Sequence, residues 1–161
     1  MNRRYMQFRS FLFRTGGKRA AWLRKKKIFG AIGENMRIQD YHLPFIPQNV
    51  FIGSNVRIAS GVTFVTHDIS YQVLNNLYKT NVFKEKAGNI VIGDNVFIGG
   101  GTMILYNVRI GNNVIVGAGS VVTRDLPDNS VCAGVPCRKI GEFDDFVQKR
   151  LKESKGLEES K

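Results

Sequence analysis

Aliphatic residues return at every sixth position through the middle of the chain. From Ile92 they fill six consecutive hexads without a slip, and shorter runs with the same spacing start at Ile52 and Ile32. The eleven guide positions are Ile32, Ile38, Ile52, Ile58, Phe64, Ile92, Ile98, Ile104, Ile110, Val116 and Val122. A period of six fits neither the 3.6-residue turn of an α-helix nor the alternation of a hairpin meander. The pattern therefore indicates a repeat architecture.

A second position in most hexads is small or aliphatic, and it lies two residues before the next guide residue. Its occupants are Met36, Val56, Val62, Val96, Thr102, Val108, Val114 and Ser120. Side chains two residues apart on a strand point to the same face of the sheet. Each hexad is therefore predicted to be a short strand with two inward side chains, followed by a turn.

The turns carry the pattern Ile-Gly-x-Asn, which recurs at Ile32, Ile52, Ile92 and Ile110. The last two copies lie 18 residues, or three hexads, apart, which predicts a coil with three flat faces. Gly and Asn suit repeated tight corners because both tolerate left-handed backbone torsions. We predict an all-β solenoid. The alternative, a β-sandwich, would need longer strands spaced about 8 to 12 residues apart.

The repeat is interrupted once by a long insertion. From Ile52 to Ile92 the pattern advances 40 residues, which is one coil and 22 further residues. The hexads are absent over about residues 68–90, so we predict a loop that leaves the coil directly after His67. The predicted organisation is a basic N-terminal arm or cap over 1–29, the repeat domain over 30–141 and a C-terminal helix and tail over 142–161.

The C-terminal segment has apolar residues at helical spacing. We expect this stripe to pack on the open end of the solenoid, because a solenoid end exposes unpaired strand edges. A polar tail is predicted from about Lys155. The members of the stripe are Phe143, Phe146, Val147 and Leu151.

The charge is concentrated at the N-terminus. Net charge is +11, but residues 1–27 hold ten Lys or Arg and no acid, so the remaining chain is close to neutral. Aromatic residues interleave with these bases, which fits a segment on an anionic membrane surface. It also fits a cap helix with a solvated basic face. Because the body is nearly neutral, we expect no nucleic-acid partner.

Length and composition limit the remaining classes. The 161 residues suit one domain, and 43% hydrophobic residues exclude global disorder. No charge-free stretch is apolar enough to predict a membrane span, and the N-terminal apolar run is too short for a secretory signal. Two cysteines are too few for a disulfide scaffold or a four-ligand zinc site, and they fit a reducing cytoplasm.

The hexads, the Thr66-His67-Asp68 before the insertion and the closing segment Cys132–Ile140 together resemble the hexapeptide-repeat acetyltransferases. Within that family the chain is similar to the galactoside and maltose O-acetyltransferases, a branch that includes enzymes acting on bacterial surface polysaccharides. The resemblance covers about residues 30–141. It implies a left-handed parallel β-helix, acetyl-CoA as co-substrate without a metal, and a homotrimer with active sites between subunits.

His67 lies three residues after the guide residue Phe64, at an outward turn position beside the insertion. An imidazole titrates near neutral pH and can take a proton from a hydroxyl. The resemblance places the catalytic histidine at His67, and the alternative is a surface histidine without a role. His42 has inward phase and is interpreted as structural, and Asp68 should point away from His67.

The resemblance also assigns a cofactor groove. Phe97 would flank the pantetheine arm, Ala118 and Thr123 would offer backbone groups, and Arg124 and Arg138 would meet phosphates. Solvated surface charge is the alternative for the arginines.

One cofactor position departs from the family pattern. Gly100 stands where the galactoside enzymes have a serine near the reacting carbonyl. A backbone N–H near Gly100 would therefore have to donate the hydrogen bond to the oxyanion. From the inserted loop, Tyr71 and Asn76 are candidates for acceptor binding.

The predicted function is an acetyl-CoA-dependent O-acetyltransferase acting on a sugar or a surface-polysaccharide unit. One alternative is an N-acetyltransferase of an amino sugar or an enzyme like serine acetyltransferase. Another is a non-enzymatic solenoid scaffold. A zinc enzyme of this architecture would need three histidines, and the chain has two.

Overall fold

A computed structural model describes residues 3–40 and 42–158. The helices are α1 (Arg3–Phe11), α2 (Gly16–Lys25), α3 (Tyr71–Tyr78) and α4 (Phe143–Glu158), and a 3-10 turn spans Pro47–Asn49. The strands are β1 (Ala31–Ile32), β2 (Arg37–Ile38), β3 (Val50–Ile52), β4 (Arg57–Ile58), β5 (Thr63–Val65), β6 (His67–Asp68), β7 (Lys86–Ala87), β8 (Ile90–Ile92), β9 (Val96–Ile98), β10 (Met103–Leu105), β11 (Val108–Ile110), β12 (Val114–Val116), β13 (Val121–Val122), β14 (Ser130–Ala133) and β15 (Arg138–Glu142).

The strands of the coil form three sheets. Sheet A contains β1, β3, β8 and β11, sheet B runs β2, β4, β9, β12, β14 and β15, and sheet C contains β5, β10 and β13. All pairs are parallel except β14 with β15, and equivalent guide residues stand opposite each other, as Ile52 does with Ile92 and Ile92 with Ile110. The chain visits the three sheets in turn, which confirms a parallel, three-sided solenoid.

The side chains buried inside the coil are those that the hexads predict. Ten of the eleven guide residues are buried, Ile32 is half-buried against the core, and all eight second-position residues are buried. Two of these are hydroxyl residues, and their Oγ atoms donate to a backbone carbonyl of the coil, Thr102 to Gly117 at 3.3 Å and Ser120 to Gly117 at 2.6 Å. Each buried hydroxyl is thereby satisfied inside an apolar prism.

One corner of the coil is a ladder of asparagines. The residues Asn35, Asn55, Asn95, Asn113 and Asn129 have φ between +50° and +57°. Each side-chain amide donates to the Oδ1 of the next asparagine at 2.8–3.0 Å. The left-handed torsion and the side-chain amide together explain why asparagine recurs at this corner. Asn129 lies 16 residues after Asn113, so the hexad count alone did not predict it.

The N-terminal segment is a pair of helices that caps the first coil. Helix α2 packs on β1 and β2, and its Arg19 is buried. The Arg19 guanidinium donates to four backbone carbonyls, those of Ser10, Phe13, Ile38 and Gln39, at 2.7–2.9 Å. Burial lowers the pKa of Arg19, and the nearby Asp40 charge opposes that effect. The predicted basic arm therefore packs on the coil, and the hydrogen bonds of Arg19 help to hold it there.

The insertion is only partly a loop. It begins and ends in a hairpin, because β6 pairs with β7 in antiparallel fashion, and helix α3 lies between these strands. Asn75 closes the turn after α3, since its amide donates to the carbonyl of Phe83 at 3.0 Å and its Oδ1 accepts from the N–H of Phe83 at 3.1 Å.

The C-terminal end differs from the prediction in two ways. Helix α4 continues to Glu158, so a polar tail from about Lys155 is wrong for the described residues. Phe143, Phe146 and Val147 are half-buried, but Leu151 is 49% exposed and does not pack on the coil. The coil itself is closed by β15, which turns back along β14 and covers its open edge.

Within the described residues, no helix combines the length and apolar character needed to cross a membrane.

Candidate active site

His67 opens the hairpin of the insertion, where it pairs with Ala87. It occupies a two-residue strand and not the turn that the hexad phase predicts, because the hairpin extends the backbone at this point. Its ring is half-buried and stacks on Phe45, with ring centroids 4.5 Å apart and planes 26° apart. Nδ1 is buried without a hydrogen-bond partner in the described chain. A ligand that contacts this ring through a nitrogen would therefore have to use Nε2.

Asp68 turns away from His67, as predicted. Its Oδ1 accepts from the N–H of Ser70 at 2.6 Å, and its Oδ2 accepts from the hydroxyl of Tyr106 at 3.5 Å. The hydrogen bonds from Ser70 lower the pKa of Asp68 the most, and the hydrogen bond from Tyr106 lowers it further. The carboxylate is thus a fixed anion of the loop and does not orient the imidazole.

His42 was predicted to point inward, and the structure corrects this. The side chain is 61% exposed, and its Nδ1 lies 2.7 Å from Oδ1 of Asp40. The hexad phase fails here because the chain leaves the coil between β2 and β3. Burial alone would raise the pKa of Asp40, but hydrogen bonds from His42 and from the N–H of Gly61 outweigh it and lower that pKa. This pair borders a cavity of about 210 Å³.

The corner between sheets B and C presents an unpaired backbone donor. The N–H of Gly99 donates to the Val116 carbonyl at 2.8 Å, and that of Gly101 donates to the Ser60 carbonyl at 3.0 Å. Between them, the N–H of Gly100 makes no backbone hydrogen bond within residues 3–40 and 42–158. A backbone donor at Gly100 is thus available to a ligand.

Three other predicted cofactor residues lie near that corner. Phe97 is in the middle of β9, flanked in sheet B by Arg57 and Ile115, and is 41% exposed. Ala118 is exposed on the next coil, where the N–H of Gly119 donates to the Gly100 carbonyl at 2.8 Å. Arg138 is exposed at the start of β15 and donates to the Cys137 carbonyl at 2.7 Å.

Thr123 and Arg124 lie at the opposite end of sheet C. Val122 stands opposite Ile104, which stands opposite Phe64, so the residues that follow β13 share an end of the sheet with His67. Both side chains are exposed. A three-residue strand spans roughly 10 Å. One protomer therefore does not bring His67, Thr123 and Arg124 together with Phe97, Gly100, Ala118 and Arg138.

The acceptor candidates lie on α3. Tyr71 is half-buried at its first residue, and Asn76 is exposed on its middle turn. No residue of α3 is buried, and Val73, Leu77 and Tyr78 are each at least 66% exposed. The apolar side of this helix is therefore exposed among the residues that the structure describes.

Comparisons with known proteins support the assignment of hexapeptide repeats. A family model described as "Bacterial transferase hexapeptide (six repeats)" matches residues 89–124. The chain is 38% identical over 144 residues to the galactoside O-acetyltransferase of Escherichia coli, covering 83% of this chain and 66% of that protein. It is 34% identical over 143 residues to the galactoside O-acetyltransferase of Lactococcus lactis, covering 74% and 67%. The chain belongs to the hexapeptide-repeat acetyltransferase family.

A solved member of this family agrees with the fold. The structure titled as a galactoside acetyltransferase in complex with coenzyme A matches with a TM-score of 0.65 and 28% identity, covering 91% of this chain and 81% of that one. The chain spans about three fifths to two thirds of the length of the first curated relatives that it matches. Among the described residues, no group of three or more His, Cys, Asp or Glu is arranged to hold a metal.

Sequence reasoning missed three contacts around the candidate site. Phe45 covers the ring of His67, Tyr106 holds Asp68, and Asn75 closes the loop. Phe45 lies between Pro44 and Pro47, outside any hexad, so no repeat phase marks it. The contacts of Tyr106 and Asn75 depend on how the insertion folds back, which periodicity does not encode.

Proposed function

We propose that this protein is an acetyl-CoA-dependent O-acetyltransferase that acts on a hydroxyl of a sugar or of a surface-polysaccharide unit. The observation that carries the proposal is the position of His67, a half-buried imidazole with its Nδ1 buried, at the start of the protruding insertion. The relatives named galactoside O-acetyltransferase and the related structure in complex with coenzyme A support it.

The proposed reaction is a direct transfer. Nε2 of His67 takes the proton of the acceptor hydroxyl as its oxygen attacks the thioester carbonyl carbon of acetyl-CoA. A tetrahedral oxyanion forms, the carbon–sulfur bond breaks, and the proton passes from His67 to the sulfur of CoA. The unpaired N–H of Gly100 is the proposed donor to the oxyanion. No acyl-enzyme is needed when both substrates lie side by side.

The cofactor is proposed to lie along the small-residue corner. Phe97 would flank the pantetheine arm, the backbone at Ala118 and Thr123 would contact it, and Arg124 and Arg138 would meet its phosphates. The exposed positions of Phe97, Ala118, Arg124 and Arg138 support this assignment. Because Arg124 lies about one strand length from the corner that holds Gly100 and Ala118, we propose that a second copy of the chain completes the groove.

The active form is therefore proposed to be a left-handed β-helix in a homotrimer with active sites between subunits. Two observations support active sites between subunits: the separation of His67 from Gly100 within one chain, and the exposed apolar side of α3. A neighbouring subunit would bring the other half of the site to His67 and would cover this side of the helix. Tyr71 and Asn76 would then face the acceptor.

The compartment proposed is the cytoplasm, where acetyl-CoA is available and free thiols such as Cys132 and Cys137 persist.

Replacing His67 by alanine tests the proposal. Release of CoA thiol is measured with acetyl-CoA and a panel of galactosides, maltose and glycan fragments. Loss of the general base is expected to lower kcat by roughly 10²–10⁴-fold, while the dissociation constant for acetyl-CoA changes less than about twofold. The matched control is His42→Ala, which removes the other histidine and is expected to keep kcat. Near wild-type turnover in His67→Ala would refute the assignment.

The chemical nature of the product separates this proposal from transfer to an amine. Mild hydroxylamine cleaves an acetyl ester and leaves an acetyl amide intact. We expect the product to be cleaved. A resistant product would indicate an amino-sugar acceptor and would leave the role of His67 unchanged, because an amine also loses a proton on transfer.

A further inference from the structure

Helix α1 carries an apolar stripe on its solvent side. Tyr5 and Phe8 in the helix and Leu12 directly after it are spaced so that they share one helical face. They are 52%, 61% and 53% exposed. On a different side of the same helix, Met6 and Ser10 are buried against the rest of the protein. The stripe is thus a second apolar face, separate from the one that holds α1 in place.

The segment that carries the stripe is basic. Arg9 follows Tyr5 by four residues and shares its face. The other exposed bases are Lys18 and Lys25 on α2, and Arg14, Lys26 and Lys27 in the residues that flank α2. Residues 1–27 contain ten Lys or Arg and no acid. Arg19 is engaged internally and Arg24 pairs with Glu34 at 3.0 Å. The other cations face no acid of their own segment.

We propose that the surface formed by α1 and α2 binds an anionic lipid bilayer. Its apolar stripe would enter the headgroup region, and the exposed Lys and Arg of the same segment would contact lipid phosphates. Tyr and Phe side chains suit this boundary because they combine apolar area with rigidity. Nine residues of helix rise only about 14 Å, half the thickness of the hydrocarbon core, so α1 lies in the surface.

Charge decides between a membrane and a second copy of this chain. Two copies meeting at the stripe would bring together two segments that each hold ten cations and no acid, and like charges at close range repel. An anionic surface has the complementary charge. Nucleic acid would also be complementary in charge, but an apolar stripe adds nothing to phosphate contacts.

Vesicle cosedimentation tests the proposal with the full-length protein. The probes are vesicles of phosphatidylcholine alone and vesicles with about one third phosphatidylglycerol. We expect binding to the anionic vesicles that weakens in high salt, since each basic side chain near such a surface contributes about a fivefold change in partitioning. The variant Tyr5→Ser/Phe8→Ser/Leu12→Ser is expected to partition at least tenfold less, because it removes the apolar side chains and keeps every charge.

The matched control is Ile140→Ser/Leu151→Ser, which removes two exposed apolar side chains at the other end of the molecule. It is expected to bind vesicles as the wild type does. Circular dichroism melting verifies that each variant folds. Equal binding to vesicles with and without the anionic lipid would overturn the proposal. Binding of the stripe variant at the wild-type level would also overturn it. A stripe variant that dissociates the oligomer in light scattering would also overturn it, by showing that a second copy covers the stripe.

Vesicle binding requires no catalysis. Failure of this proposal and failure of acetyl transfer are therefore distinguishable in the same preparations.

Discussion

Between Ile92 and Val122 the coil never misses a hexad, whereas between β2 and β8 it is interrupted twice. The regular region buries its guide residues completely or nearly so. The interrupted region holds both histidines, the ring of Phe45 and helix α3 without a buried residue. The regular repeats thus form a scaffold that carries most of the predicted cofactor residues, and both histidines lie where the repeat breaks, as is common for loops on a scaffold.

The largest effect expected from this contrast is on stability. Ile98→Ala removes a fully buried guide side chain and should lower the free energy of unfolding by about 2–5 kcal/mol, through lost burial and a cavity. Gln72→Ala truncates an exposed polar side chain of α3 and should change the free energy of unfolding by under about 0.5 kcal/mol. Urea unfolding at fixed protein concentration measures both. Equal losses of unfolding free energy in the two variants would contradict the contrast between the regular and the interrupted region.

Next in size is a corner of the regular coil. Asn95 has φ of +57° and makes two ladder hydrogen bonds. Asn95→Ala loses both bonds and strains the left-handed backbone, so we expect a loss of about 2 kcal/mol. Asn95→Gly removes the strain but not the lost bonds and should cost about 1 kcal/mol less. If both variants melt alike, the torsion is not what selects asparagine.

A smaller effect is expected where the repeat breaks. Asn75→Ala removes the two hydrogen bonds to Phe83 that close the insertion. Because the insertion lies outside the core, global stability should fall by less than about 1 kcal/mol. Trypsin should cut after Lys79 or Lys84 several-fold faster. Gln72→Ala, in the same helix, is the control and should be cut at the wild-type rate. Unchanged cleavage in Asn75→Ala would show that the turn is held by other contacts.

The smallest expected effect is a pH dependence at the first interruption. The folded-state pKa of Asp40 lies below its ordinary value of 3.8, so its carboxylate stabilises the fold above that pH and loses this contribution as the pH falls through the lowered value. Asp40→Asn should melt below the wild type at pH 7, and the gap should narrow toward pH 3. A gap that stays constant over this range would contradict the role of the charge.

Repetition made most of the fold predictable. Ile98, Val116 and their equivalents could be assigned to the interior because each repeats the environment of the residue one coil away. His67 could be singled out because it stands where that repetition stops. Phe45, Tyr106 and Asn75 could not, since each acts through a contact with a residue 8 to 38 positions away that no period connects to it.

The amino-acid order by itself determined the three-sided coil, its inward side chains and the corner asparagines, because a strand of two or three residues can bury its apolar side chains only by stacking on its neighbours. Tertiary structure alone decided that the basic N-terminus folds as a cap through buried Arg19 and that α1 keeps an exposed apolar stripe. It also decided that Thr123 and Arg124 lie a strand length away from the other predicted cofactor residues. These features depend on directions in space that non-repeating segments acquire only when they pack.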